Sequence, residues 1–343
     1  MLEVAAIVQD DYLNNLFFSE KMPQVIPNNI PVPRDDDNKC FKVFKDTLFK
    51  NGININTYDL VDNDKVDLEI YFHFNFKRKK YSKIKYCVWP EASEIYSRNN
   101  SQQLSRDFDK IFTTFDIDVD DKKFFKINYP INFKDTNFNL YDNRNKFCCI
   151  LSSNKNLSKY SKKSGYTERV RLIEWFEKNY PNDLSLYGVG WNKFFSSNYY
   201  LNRYFSKLVN NFFNKKLIIY KGVAKSKTQV YQDHKFSFCY ENVLDKPGYF
   251  CELIFDSLNN GCVPIYLGCS NVQDYIPNDC FIDRRNFSSN DELFSFLKSF
   301  TSKEYDKYQS NIKNLLNSKK VEPFSIEFFS NQIIKKIKKD FLI

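Results

Sequence analysis

KFSFCYENVLDKPGYFCELIFDSLNNGCVPIYLGCSNVQDYIPNDCFIDRRNF, residues 235–287, is the stretch whose reading decides the fold. A short apolar run, 236–240, stops at the acid–amide pair Glu241-Asn242. A Pro-Gly turn follows at 247–248, then apolar residues at helical spacing, a glycine at 261 and a second apolar run, VPIYLG. The order is strand, loop, helix, strand. In open α/β sheets, ligands sit at the carboxyl ends of the strands and at the helix N-termini beside them. The polar residues of this stretch cluster at that edge, which makes it a candidate nucleotide or phosphate site.

The pattern extends outward in both directions. Upstream, residues 4–8, 67–76, 85–89, 109–115 and 124–127 read as strands and 40–49 as a helix. From 130 to 145 the chain turns polar, as an interdomain linker would. A new strand opens at Phe147 (FCCILSSN), followed by a lysine-rich loop at 155–165 and a helix over 167–179 with Tyr166 or Thr167 near its cap. Strands are expected at 184–191 and 217–220, and a short helix at 226–233. Residues 291–318 read as one helix, and a last helix, 325–342, follows a break at Glu322-Pro323. Alternating β and α in both halves predicts an α/β fold of two Rossmann-like domains, residues 1–143 and 144–318, with 319–343 as a C-terminal segment.

Composition narrows the function. A chain of 343 residues has room for two domains. Its net charge of +9 suits an anionic partner such as a nucleotide-sugar, a nucleic acid or a membrane surface. The 42 acidic residues are interspersed and no RNP-like motif is present, so nucleic acid is not the expected partner. With only His73 and His234, both read as structural, zinc chemistry and a Ser-His-Asp triad have no basis. Nine cysteines without a CxxC pair read as small buried hydrophobes in a reducing compartment. No stretch approaches the roughly 20 apolar residues of a membrane helix, and MLEVAAIVQDD is too short and acidic for a signal peptide. The expected location is cytoplasmic. The KKIKKD segment near the C-terminus has the charge for peripheral contact with an acidic membrane, with a solvated helical face as the alternative.

Residues 235–287 resemble the donor-binding region of the family 10 glycosyltransferases, the α1,3/4-fucosyltransferases. The family signature runs roughly KF-x-x-x-[FY]EN, Y-[IV]-TEK, VP[VI]-x-x-G and IP-x-x-[CS]-FI. The matching pieces are KFSFCYEN, GYFCEL, GCVPIYLG and IPNDCFIDRRNF, in the same order and spacing. One departs: the family's TEK is Cys251-Glu252-Leu253, without the lysine. Looser likeness covers about residues 85–329. The resemblance implies a GT-B fold, two Rossmann-like domains facing a cleft, with the C-terminal helix crossing back to the first domain. It implies GDP-fucose as donor, a glycan or glycoconjugate acceptor, no required metal cofactor, and the anchorless microbial type of enzyme.

Sugar transfer needs a base for the acceptor hydroxyl, groups that stabilise the departing diphosphate, and contacts to the nucleotide. Many transferases hold a metal with a DxD motif, and 35–37 and 118–121 contain such spacing; the family resemblance argues against that use. Glu91 follows the strand KYCVW at a carboxyl edge, where the family has its general base; Glu94 is the alternative, and a surface glutamate in a helix N-terminal turn is the plainer reading. In YTERVRLIEWFEK, Arg169 matches by register the family arginine that contacts the diphosphate, with Arg171 two residues on and a surface ion pair as the plainer reading. Glu241 and Asn242 end a strand where polar side chains face the cleft, and the resemblance implies donor contacts for this set, with Tyr249 and Glu252, expected in the first turn of the next helix, on the nucleotide; a cap or turn residue is the plainer reading of any one of them. Losing the lysine at 253 costs a charge-assisted contact of about 1.5–3 kcal/mol. Lys225 and Lys227 are the leading substitutes, with Lys246, Arg284 and Arg285 nearby. Either a neighbour substitutes, or activity is low, or the donor is another nucleotide-sugar, or the chain only binds its ligand.

Overall fold

A strand whose side chains are buried on both faces needs cover on both sides, which parallel sheets flanked by helices provide. Leu68–Phe72 is buried at all five positions and His234–Tyr240 at six of seven. The computed structural model describes residues 1–19, 25–26, 30–31, 39–72, 84–134, 137–155, 157, 160–205 and 216–343. In it, each of these strands lies inside a separate all-parallel sheet. The first holds β1 (Leu2–Ile7), β2 (Ile53–Thr57), β3 (Leu68–Phe72), β4 (Ile84–Val88), β5 (Lys110–Thr113) and β6 (Phe124–Lys126) in the order β2-β1-β3-β4-β5-β6. The second holds β7 (Lys146–Leu151), β8 (Leu184–Tyr187), β9 (His234–Tyr240), β10 (Val263–Leu267) and β11 (Ile282–Asp283) in the order β8-β7-β9-β10-β11. In the second sheet the chain builds outward from β7 on one side and then on the other. The switch point, where open α/β sheets take ligands, therefore falls between β7 and β9.

Helices α1 (Lys39–Lys50) and α2 (Ser101–Asp107) accompany the first sheet; α3 (Gly165–Asn179), α4 (Lys227–Asp233), α5 (Leu253–Asn259), α6 (Asn290–Ser299) and α7 (Ser302–Leu316) accompany the second. The last helix, α8 (Ile326–Phe341), returns to the first sheet. Its Ile326, Phe329, Ile333, Ile334 and Ile337 join one buried cluster with Val4, Phe44, Phe72 and Trp89. This crossing is the GT-B arrangement. It also spends the apolar face of α8 inside the protein, which leaves no apolar helical face for contact with a membrane surface. Among the described residues no helix is long and apolar enough to cross a membrane.

The described parts of the polar stretch, 130–134 and 137–145, are docked along the protein rather than free. Ile131 donates its N–H to the Phe324 carbonyl at 2.7 Å, so the outgoing and returning chains run side by side. The buried Arg144 guanidinium donates to the carbonyls of Tyr231, His234 and Asn260 at 2.7–2.8 Å.

Several element expectations change. The single helix over 291–318 is two, because Thr301 caps α7 in a reciprocal box with Glu304 and so ends α6 at Ser299. Residues 217–220 make no strand beyond one bridge, Leu186 to Tyr220. The α3 cap is Ser164, whose side chain accepts from the Thr167 N–H. Strand β2 and helix α2 have no counterpart in the sequence reading: ININT alternates over only five positions, and SQQLSRD holds Leu104 as its single apolar residue. His73, the end of the strand expected at 67–76, and the acidic run 35–37 lie outside the described residues.

Candidate active site

The carboxyl edges of the two sheets face each other, and the candidate residues emerge there. β4 ends at Val88, and the chain turns through Trp89 to Glu91. Trp89 has φ +56°, a left-handed backbone that costs a non-glycine residue about 1–3 kcal/mol. Packing holds it: its ring stacks on Tyr129 at 4.8 Å and on Phe329 of α8 at 5.1 Å. Asn99 Nδ2 donates to the Glu91 carbonyl at 2.9 Å. The position of Glu91 is thus set by side chains far away in sequence.

Burial pushes the Glu91 carboxyl above its ordinary range, and the negative charge of Glu252 from the second lobe adds to the push. The cation of Lys155 and the Ala92 N–H work against it. Glu91 also acts on Tyr166, Tyr249 and Cys251, whose pKa values are raised first by burial. Ala92, beside Glu91, packs in one buried cluster with Phe115, Tyr166 and Tyr249, so one sequence candidate of the first lobe and two of the second, Tyr249 and Glu252, lie near one another across the cleft. The alternative, Glu94, is paired instead with Lys246 at 3.3 Å.

In the second lobe, Gly165 opens α3 directly over the end of β9. A Cβ there would fall 1.7 Å from the Glu241 carbonyl oxygen, so only glycine allows this approach. Arg169, 4% exposed, sends Nε to the Tyr240 carbonyl at 2.9 Å, Nη2 to Asn242 Oδ1 at 3.1 Å and Nη1 to Ser152 Oγ at 3.2 Å. Nη2 also bonds the Tyr240 carbonyl. It ties α3, β7 and β9 together at the switch point and leaves little of its fork free. Glu241 is fully buried beneath the loop it precedes; its Oε1 accepts the Cys251 N–H at 3.2 Å.

Helix α5 begins at Leu253, later than expected, so Glu252 is its cap residue and Tyr249 lies in the preceding turn. Tyr249 is buried against Phe115 of the first lobe, with ring centroids 5.6 Å apart. Leu253 packs against the core of the second lobe. Lys227 pairs with Asp256 of α5 at 3.4 Å and lines a polar cavity with Glu252, Asn259 and Lys134. Lys225 is exposed ahead of α4. Arg285 is held by Asp283 and Arg284 by Phe287 and Asn290, so neither is placed at Leu253 by these bonds.

The sequence reading passed over Asp116 and Tyr166, both near the same cleft. Asp116 follows β5 just as Glu91 follows β4, and the carboxyl-edge rule applied to FTTFD would have found it. Tyr166 carries no such mark. Among the described residues no group of three His, Cys, Asp or Glu is arranged to hold a metal ion.

Comparison with known proteins adds sequence and fold likeness. Residues 142–317, just over half of the chain, match the family described as glycosyltransferase family 10 (fucosyltransferase), C-terminal part. An α-(1,4)-fucosyltransferase of Arabidopsis thaliana is 42% identical over 65 residues, which span 19% of this chain and 16% of that protein's length. Among solved structures, an α1,3-fucosyltransferase superposes with TM-score 0.50 at 14% identity, covering 97% of this chain and 89% of that one. HepE of Anabaena, in complex with UDP-glucose, gives TM-score 0.54 at 11% identity, covering 99% and 100%. At these identities the structural likeness speaks for the fold alone.

Proposed function

The chain belongs to glycosyltransferase family 10, the fucosyltransferase family, and from that premise we propose that it moves fucose from GDP-fucose to a hydroxyl of a glycan acceptor, with inversion and an α1,3 linkage. The acceptor oxygen attacks C1 of the fucose, the C1–O bond to the diphosphate breaks with its electron pair, and GDP leaves. Glu91 takes the acceptor's proton. The observation that carries this reading is the convergence of the two sheet edges at Glu91: its neighbour Ala92 packs in one buried cluster with Phe115, Tyr166 and Tyr249, and the charge of Glu252 acts on its carboxyl. A carboxylate raised by burial and a like-charged neighbour is a stronger base at neutral pH than a solvated one.

Residues 1–143 form the acceptor side in this reading, 144–318 the donor side and 319–343 the crossing segment. Tyr249 and Glu252 contact the nucleotide; Arg169 holds Asn242 and the end of β9 in place for the diphosphate, with Glu241 supporting the loop from below. Lys225 and Lys227 supply cationic charge where the family lysine is replaced by Leu253. No metal is required, and the free thiols suit a cytoplasmic setting.

Glu91→Ala tests the assignment. Calorimetric GDP affinity is expected to stay within about twofold, while transfer falls by roughly 10²–10⁴-fold, the usual share of a general base. Unchanged turnover would remove Glu91 from the mechanism. A screen of GDP, UDP and CDP, run with and without chelator, tests the donor; selective UDP binding would replace GDP-fucose with another nucleotide-sugar.

A further inference from the structure

Asp116 stands just past the carboxyl end of β5, and the second lobe grips it. Asn271 Nδ2 donates to its Oδ2 at 3.0 Å, and the Tyr275 hydroxyl lies 2.7 and 2.8 Å from its two oxygens. Its backbone N–H donates to the Pro247 carbonyl at 3.1 Å. From its own lobe, Lys126 Nζ bonds Oδ1 at 2.6 Å and reaches on to the Gly248 carbonyl at 3.4 Å. Asn271 completes the ring, its Oδ1 accepting the Gly248 N–H at 2.9 Å. The Pro247-Gly248 turn is therefore held from both sides. Gly248 has φ +71°, and a Cβ would fall 2.3 Å from Asp116 Oδ1, so the approach requires glycine. This turn leads directly into Tyr249 and Glu252.

Resting on the function proposed above, we infer that Asp116 is a positioning residue: it latches the lobes together and, through Asn271 and the Pro247-Gly248 turn, presents Tyr249 and Glu252 to the donor opposite Glu91. A single partly exposed ion pair would contribute little. Here separation of the lobes breaks the Asn271, Tyr275, Pro247 and Gly248 contacts together, which makes closed and open arrangements distinct states rather than a continuum. The Lys246–Glu94 pair, with the lysine 4.1 Å above the Phe115 ring, closes the same seam beside it. Asp116 itself takes no part in bond making.

The test compares Asp116→Ala, Asp116→Asn and Tyr275→Phe with wild type by GDP titration, steady-state kinetics and amide hydrogen exchange. Asp116→Ala is expected to weaken GDP binding and raise the donor KM by about tenfold, within the usual span of coupling between sites, with a smaller fall in kcat. Exchange at residues 248–252 should quicken. Asp116→Asn, which keeps an acceptor oxygen, should recover part of the affinity, and Tyr275→Phe should shift it in the same direction by less. These two also serve if the alanine variant does not fold. A lower melting temperature with unchanged GDP affinity and unchanged exchange at 248–252 would overturn the latch. Wild-type protein that binds no GDP would overturn the donor reading alone, and the latch would then stand or fall on the exchange rates.

Discussion

Glu241 has one oxygen bonded to the Cys251 amide and the other buried without a hydrogen-bond partner. Burial pushes its carboxyl up to about 7; the Cys251 bonds and Arg169 oppose the shift and Glu252 adds to it. The folded protein thus holds this proton more tightly than the unfolded chain, whose ordinary value is 4.5. The stabilisation from that proton is full below 4.5 and is lost as pH rises through about 7. Glu241→Gln keeps the shape and removes the charge. It is expected to be more stable than wild type by about 3 kcal/mol above pH 8, at 1.36 kcal/mol per pKa unit, with the advantage vanishing near pH 4.5. Urea unfolding at several pH values checks this; parallel curves for the two proteins would refute it. The sequence marks Glu241 and Glu91 equally, as acids just past a strand. It does not tell that one is sealed under a loop while the other faces the cleft, because burial is set by what packs above, here residues 249–252.

Helix α8 shows how an element remote from the chemistry shapes the site. Its 3.6-residue apolar period is plain in IEFFSNQIIKKIKKDF, and so was its existence. Its consequence was not: Phe329 supports Trp89 in a left-handed backbone that tryptophan rarely adopts. Phe329→Ala should destabilise the protein by about 3–5 kcal/mol, as for other buried phenylalanines. It should also lower kcat more than donor affinity, because Glu91 follows Trp89 and the donor face does not. Thermal melts and kinetics on the same sample separate the effects; a loss confined to donor affinity would sever the link. At the other end of the chain, α1 forms where its spacing of Phe41, Phe44 and Leu48 predicts, while the pattern of β2 is confined to five residues. Its buried Ile53, Ile55 and Thr57 alternate with half-buried Asn54 and Asn56, and parallel pairing to β1 holds so short a segment in the sheet.

At the scale of the whole molecule, the lobes are joined by α8, by the docked stretches 130–134 and 137–145 and by the Asp116 seam. Unfolding is therefore expected in one calorimetric transition whose calorimetric and van't Hoff enthalpies agree; two resolved transitions would show that the lobes fold independently. The α/β class, the strand–loop–helix–strand unit at 235–287 and the family were determined by the sequence alone. Periodicity and motif spacing are local properties, and burial on both faces of a parallel strand writes itself into consecutive residues such as FSFCY. The action of the Glu252 charge on Glu91, the commitment of Arg169 to the Tyr240 carbonyl and the ring of bonds at Asp116 were decided only by the tertiary structure. Each depends on which groups of distant segments are brought close, within about 3 Å for the hydrogen bonds of Arg169 and Asp116. Closure of two sheets on a cleft sets those distances, and no spacing along the chain encodes them.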